Sequence, residues 1–423
     1  MRVLLLLLCI CQFTFSQTPE IRINPGGHMA LIRDLEVSQD GRYAFSASFD
    51  KSVKQWDLTN GKVIQEFRGQ IGYGAEGMVY EIALSPDNKF IAVGGWFGKD
   101  DETEILGDIR LYNIESGKLE HVFKGLQNIP VEIAFVNNGK QIMAADQSSS
   151  IFVWDIATKT LDLDLKFHSK NYGEGLYEAS AKENYIFSVD ELGNLALWDI
   201  SKASSGPQAT NTKEYKKHLR NINSSMAISP AKKELVISAD RMLYFFDFKL
   251  KMTNSIELAS HPGFLEYNQT GDLLFHGNAG TGGNNDCRIL ERNGKKWNTK
   301  YVLKGHKNAV LAGKLINDQE FITSGGEREE IRTWKIENSS VSNLMNLHGN
   351  GRSFYGVSIN DEHLALAPTW NKQRGLSTFG EGFNLFLKEF EKLGPVENYP
   401  RAYHSSSSYK LSTIDEGDGV YQN

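Results

Sequence analysis

Residues 46–57 read SASFDKSVKQWD: a tryptophan set directly against an aspartate, with a second aspartate, Asp50, six residues before Trp56. Found once, such a stretch would be a local site; found at a fixed spacing, it is architecture. It recurs. An aromatic or apolar residue closes a short alternating strand at Trp56, Tyr112, Trp154, Trp198, Phe246, Leu290, Trp334 and Phe386, with gaps of 56, 42, 44, 48, 44, 44 and 52 residues. Asp57, Asn113, Asp155, Asp199 and Asp247 follow the first five directly.

Each unit reads alike. An alternating strand leads into a Ser/Asn-Pro/Gly turn and a strand of small or apolar residues, as in VYEIALSPDNKFIAVGG and PVEIAFVNNGKQIMAAD. A tight turn gives a third strand (SVKQWDL, DIRLYNI, SIFVWDI, NLALWDI), and an NGK or SGK turn a fourth. Four short strands per unit without helical periodicity predict antiparallel four-stranded sheets. Such a sheet has two apolar faces, and radial stacking buries both, so the fold class is all-β, a β-propeller.

These units resemble the WD-repeat (WD40-type) family over about residues 20–390. Eight units are counted; the alternative is a seven-bladed ring followed by the start of a second unit. The stretch 19–28, PEIRINPGGH, reads as a strand that completes the last blade. The resemblance further implies a buried tetrad in some blades: His of a Gly-His pair, Ser on the second strand, Asp in the next turn, Trp on the third strand. Repeat 1 has it as His28, Ser46, Asp50 and Trp56. The same offsets in repeat 7 give His306, Ser324 and Trp334, but Arg328 stands at the Asp position, with Glu327 or Glu329 as substitutes. Repeat 4 keeps Ser188 and Trp198 with Leu192 at the Asp position. A buried indole N–H needs an acceptor, and a hydroxyl can accept from it while donating to imidazole. The family tetrad is structural, so the Ser-His-Asp composition is not read as a hydrolase.

No H-E-x-x-H, C-x-x-C or G-x-S-x-G is present, and no catalytic residue, cofactor or metal ligand is assigned. GYGAEG at 72–77 precedes an alternating strand rather than a helix, GTGGNND at 280–286 lacks the Gly-Lys-Ser/Thr of a phosphate loop, and DEGDG at 415–419 lacks calcium-loop spacing. Cys287 reads as a packing residue. The turn between second and third strands, by contrast, is lengthened in repeats 2, 6 and 8, where a propeller places all three on one rim. The candidate binding face is therefore Trp96, Phe97, Asp100, Asp101, Glu102, Asn284, Asn285, Trp370, Lys372, Arg374 and Phe379. Aromatic and Arg anchors are what protein interfaces favour; the competing reading folds the aromatics back onto the blades.

The chain has 423 residues, 23% of them charged and 40% hydrophobic, as expected of a globular protein. A net charge of −6 with no long basic run argues against nucleic acid. Residues 1–16, MRVLLLLLCICQFTFS, have the layout of a signal peptide cleaved before Gln17, and no later run is long enough for a membrane helix. Ile10 disfavours a lipid anchor at Cys11. Cleavage would leave Cys287 as the single cysteine, without an intrachain disulfide. The expected organisation is signal peptide 1–16, propeller 17–394 and a polar tail or truncated further unit at 395–423. The expected function is that of a secreted or periplasmic, monomeric, non-catalytic scaffold binding an unidentified protein or ligand through its decorated face. The alternatives are a propeller enzyme or carbohydrate binder with a site at the central channel, or the regulatory module of a longer enzyme.

Overall fold

The computed structural model describes residues 26–347 except 70–74, 98–106, 166, 169–175, 191, 203–205, 212–224, 280–284, 307–308, 326–329 and 338–339; past 355 it describes the backbone of short strands. Seven four-stranded antiparallel sheets follow one another, each built from four consecutive strands. Blade 1 comprises Ile32–Val37, Tyr43–Ser48, Ser52–Asp57 and Lys62–Arg68; blade 7 comprises Val310–Leu315, Glu320–Gly325, Glu330–Glu337 and Ser340–Leu347. The innermost strands of blades 2–6 are Val79–Leu84, Pro130–Val136, Leu176–Lys182, Met226–Ser229 and Pro262–Tyr267. These strands pack side by side around an axis, and Val310–Leu315 meets Ile32–Val37 to close the ring.

The ring thus has seven blades, the alternative in the sequence reading, not eight. Gly356–Ile359, His363–Ala367 and Glu381–Asn384, where the eighth unit was counted, form a separate three-stranded sheet. Blade 7 takes its fourth strand from its own Ser340–Leu347, so the slot assigned to 19–28 is already filled. Residues 19–25 lie outside the described residues, as do residues 1–16, expected to be a signal peptide, and Phe386.

Alternation drives the assembly. Second and third strands are buried on both faces, and seven apolar clusters fill the seven gaps between blades. Trp56, 1% exposed, sits in the gap between blades 1 and 7 with Ile32, Leu35, Ala312, Ile322 and Leu347. Losing such a side chain to alanine costs about 3–5 kcal/mol.

The aspartate after the tryptophan shapes the next turn. Asp57 Oδ1 accepts the Thr59 N–H at 2.8 Å, and Gly61 closes the turn with φ +72°. A Cβ on Gly61 would lie 2.6 Å from Met345 Sδ of blade 7, so a larger residue there would also have to displace that side chain. Asn113, Asp155, Asp199 and Asp247 accept the N–H groups of Ser116, Thr158, Ser201 and Lys249 in the same way. These side-chain caps on the turn explain Asp or Asn at the position in blades 1–5, whereas blades 6 and 7 carry Glu291 and Lys335 there.

Candidate functional site

In blade 1 the indole of Trp56 donates to Ser46 Oγ at 2.7 Å, and Ser46 Oγ lies 2.6 Å from His28 Nε2. His28 Nδ1 is 2.9 Å from Asp50 Oδ2, which also accepts the Met29 N–H at 3.0 Å, while Ser52 donates to Asp50 Oδ1 at 2.6 Å. The Trp56 indole can only donate and the Asp50 carboxylate can only accept, so Ser46 donates to Nε2 and the His28 proton is assigned to Nδ1. Burial pushes the Asp50 carboxyl up, but His28, Ser52 and the Met29 N–H outweigh it and hold it well below the usual carboxylate range. Ser46 is fully buried and its oxygen already accepts from indole, so no substrate can reach it.

Blade 7 builds its version from other residues. Trp334 Nε1 donates to Thr323 Oγ1 at 2.7 Å, and His306 Nε2 lies 2.7 Å from the same oxygen. Ser324, the residue expected from spacing, is buried with its hydroxyl unpartnered among the described residues. The cause is the turn. Ser48 pairs with Ser52 in blade 1 but Gly325 with Glu330 in blade 7, so the loop is one residue longer and the hydroxyl falls eleven places before the tryptophan. The acid is Glu330, 3.3 Å from His306 Nδ1 without hydrogen-bond geometry. Its carboxyl is pushed up by burial but held at about 2 by His306 and Arg332. Arg328 and the suggested substitutes Glu327 and Glu329 lie outside the described residues.

Blade 4 holds a set that spacing did not reveal. His168 Nε2 lies 2.5 Å from Ser188 Oγ and His168 Nδ1 lies 3.1 Å from Asp190 Oδ2, while Trp198 Nε1 has no hydrogen-bond partner among the described residues. His168 follows Phe167 rather than glycine, and Asp190 precedes the Leu192 position, so neither matched the pattern.

Of the candidate binding face, Trp96 is half-buried. Phe97 is 5% exposed, packed in the core between blades 1 and 2 with the Arg110 guanidinium 4.2 Å above its ring. It is a core residue and not part of an open face. Asn285 is half-buried. Trp370 is described only as backbone in the hairpin of Thr369–Asn371 with Leu376–Thr378. Asp100, Asp101, Glu102, Asn284, Lys372, Arg374 and Phe379 lie outside the described residues.

The innermost strands supply what spacing missed. Six of the seven carry a register shift after their first residue, which places Arg33, Tyr80, Val131, Tyr177, Gly263 and Leu311 on bulges. A bulge re-aims its residue out of the ladder, and Arg33, Tyr80, Val131, Gly263 and Leu311 all line a central cavity of about 540 Å³. At its rim the Arg33 guanidinium lies 5.9 and 6.0 Å from the rings of Phe49 and Tyr80, which contact each other at 4.8 Å. The register places Trp96 of blade 2 where Phe49 stands in blade 1.

Deeper in the channel, carboxylates bridge blades. Asp34 accepts the Ile82 N–H of blade 2 at 3.0 Å, Glu132 the Ala181 N–H of blade 4 at 3.1 Å, and Glu266 the Leu315 N–H of blade 7 at 2.8 Å. Lys314 of blade 7 pairs with Glu36 of blade 1 at 2.9 Å across the ring seam. Burial raises Asp34 to about 6, Glu266 to about 7 and Glu132 to about 8. Burial disfavours the Lys314 charge, yet Glu36, Glu266 and Asp34 overcome it and keep the ammonium protonated. No cluster of three or more His, Cys, Asp or Glu suited to a metal ion occurs among the described residues.

Known proteins share this pattern. Residues 19–57 match the family described as WD domain, G-beta repeat. The chain is 30% identical over 165 residues to small ribosomal subunit protein RACK1y of Oryza sativa subsp. japonica, 37% of this chain and 43% of the relative. It is 24% identical to target of rapamycin complex subunit wat1 of Schizosaccharomyces pombe, 38% of this chain and 46% of the relative. It is 23% identical to eukaryotic translation initiation factor 3 subunit I of Aspergillus terreus, 45% and 54%. The matches thus span about half or less of each relative. Seven stacked four-stranded sheets, Trp-Asp strand ends and these relatives agree: the fold is a seven-bladed β-propeller of the WD-repeat type.

Proposed function

We propose that this protein is a non-catalytic scaffold whose channel mouth and rim dock a partner protein. The observation that carries the reading is the Arg33, Phe49 and Tyr80 cluster, with Trp96 at the register position equivalent to Phe49. Arg, Tyr and Trp are the residue types that dominate binding energy at protein interfaces. Relatives named as a small ribosomal subunit protein, a target of rapamycin complex subunit and a translation initiation factor subunit support an assembly role. The test is affinity capture from the native compartment with immobilised full chain. The Tyr80→Ala, Trp96→Ala double variant should keep its circular dichroism and lose the retained partner; retention undiminished by both changes would count against the mouth.

Export, with cleavage before Gln17, belongs to this proposal and rests on the composition of residues 1–16. Amino-terminal sequencing of the mature protein checks it. A monomeric state is checked by light scattering. No helix among the described residues is long and apolar enough to cross a membrane. A second reading, a polar ligand such as a carbohydrate in the channel, is favoured by the convergence of Asp34, Glu132 and Glu266 on one cavity. Against it stands the engagement of each carboxylate with a neighbouring blade's backbone. Calorimetric titration with oligosaccharides distinguishes the two.

A further inference from the structure

The opposite end of the ring carries a different chemistry. In a sheet of consecutive antiparallel strands, the first-to-second and third-to-fourth turns lie at one end, away from the mouth. In blades 5 and 6 these turns and the residue just beyond hold Lys232, Lys233, Lys249, Lys251, Lys295 and Lys296. The two blades are tied together there. Lys232 Nζ lies 2.7 Å from Asp272 Oδ1, Asn254 Nδ2 donates to the Lys295 carbonyl at 2.7 Å, and Arg292 of blade 6 pairs with Glu234 of blade 5. The lysines therefore form one surface.

The acids that blades 5 and 6 place at this end are engaged. Asp272 pairs with Lys232, Glu234 with Arg292 and the Tyr267 hydroxyl, and Glu291 with Lys300. Asp247 accepts the N–H groups of Lys249 and Lys251 at 2.9 and 3.0 Å. Lys233, Lys249, Lys251, Lys295 and Lys296 are exposed and have no ion pair among the described residues. At this end of blades 5 and 6 these five lysines outnumber the one carboxylate without an ion pair among the described residues, Asp247, so this part of the end carries a positive patch on a chain of net charge −6.

We propose that this lysine face docks an acidic polypeptide segment of a partner protein. A bilayer is the poorer fit because none of the large exposed apolar residues lies in these turns, and Phe248 packs against Tyr185 and Phe187 of blade 4. A nucleic acid is the poorer fit because the nearest large ring, Trp297, is covered by Arg292 at 4.4 Å and stacked on Phe245, leaving no face for a base. Lysine ammonium groups on flexible stems suit carboxylates spread along an extended chain better than planar forks would. With the mouth at one end and this face at the other, the ring can join two partners.

The experiment measures fluorescence anisotropy of a labelled peptide of about 16 residues, alternating Glu and Asp with Ser, against the full chain at about 50 and about 200 mM salt. The Lys249→Glu, Lys251→Glu, Lys295→Glu, Lys296→Glu variant should lose about tenfold or more in affinity with an unchanged melting temperature. Should it fail to fold, the same four positions changed to Gln serve instead. Reversing Lys62, Lys118 and Lys140, at the same end of blades 1–3, should change affinity by less than about twofold. The proposal is overturned by equal loss in both sets or by no loss in either. Tighter binding to vesicles of phosphatidylcholine with about one-fifth phosphatidylserine, or to duplex DNA of about 20 base pairs, overturns it as well.

Discussion

Blades 1 and 7 meet at the seam of the ring, and each must satisfy a buried indole N–H and a buried imidazole. Blade 1 uses Ser46 and Asp50; blade 7 uses Thr323 and Glu330. The hydroxyl is fixed by its place in the ladder, two residues beyond the partner of the tryptophan: Ala44 faces Trp56 and Phe321 faces Trp334. The acid is fixed only by reach, so a turn aspartate and a strand glutamate both serve. Position in the sheet, not distance along the chain, decides which residue takes each role.

The comparison can be broken most sharply at Asp50. Asp50→Ala would leave the donors of His28, Ser52 and Met29 without their acceptor, and a loss of about 3 kcal/mol in denaturant unfolding is expected. Capture of a partner by the surviving folded protein should persist, and an unchanged unfolding midpoint would refute the structural role. In blade 7, Thr323→Val removes the oxygen shared by Trp334 and His306 and should cost about 2 kcal/mol.

The channel sharpens the contrast through pH. The depressed carboxyls of Asp50, Asp190 and Glu330 give stability that is present above their unfolded values near 4 and is lost as pH falls toward their folded values. Asp34, Glu266 and Glu132 have the opposite sign: the folded state holds protons that the unfolded state releases, so stability declines as pH rises toward about 8. Buried His276, lowered to about 4 by burial and Arg288, instead loses stability as pH falls below about 6.5. Between about pH 6.5 and 8.5 the channel should dominate, with a decline of about 1–2 kcal/mol, tempered because each carboxyl stays partly open to channel water. Urea titrations at both ends of that window should show the decline, and Glu132→Gln should flatten it. A slope that Glu132→Gln leaves untouched would assign the effect elsewhere.

The smallest effect is the most discriminating. Ser324→Ala should change stability by less than about 0.5 kcal/mol, because its hydroxyl makes no bond to lose. If Ser324→Ala proves costly and Thr323→Val mild, the register in blade 7 is misassigned.

The period and the strand order were legible because they depend on local alternation, and the blade 1 set through the WD-repeat resemblance, whose offsets a turn of standard length preserves. Thr323 was not, since one extra turn residue shifts the offset while leaving the ladder intact. His168 and Asp190 escaped because reach in space tolerates a displaced histidine and an acid two residues early. The eighth unit was counted because strand-like alternation reads the same inside the ring and beyond it; closure is set by how seven inner strands fit around an axis, which no local pattern reports. The channel carboxylates were invisible for a related reason: Asp34 and Ile82 are brought together only when neighbouring blades stack.

The bulges on the innermost strands carry a consequence for divergence. Arg33, Tyr80, Gly263 and Leu311 stand outside the ladder and belong to none of the apolar clusters between blades. Side chains as different as a guanidinium, a phenol and a bare hydrogen already occupy equivalent places in one chain. Selection can therefore rewrite the mouth one blade at a time, altering what the ring recognises while the blades that hold it up keep their sequence.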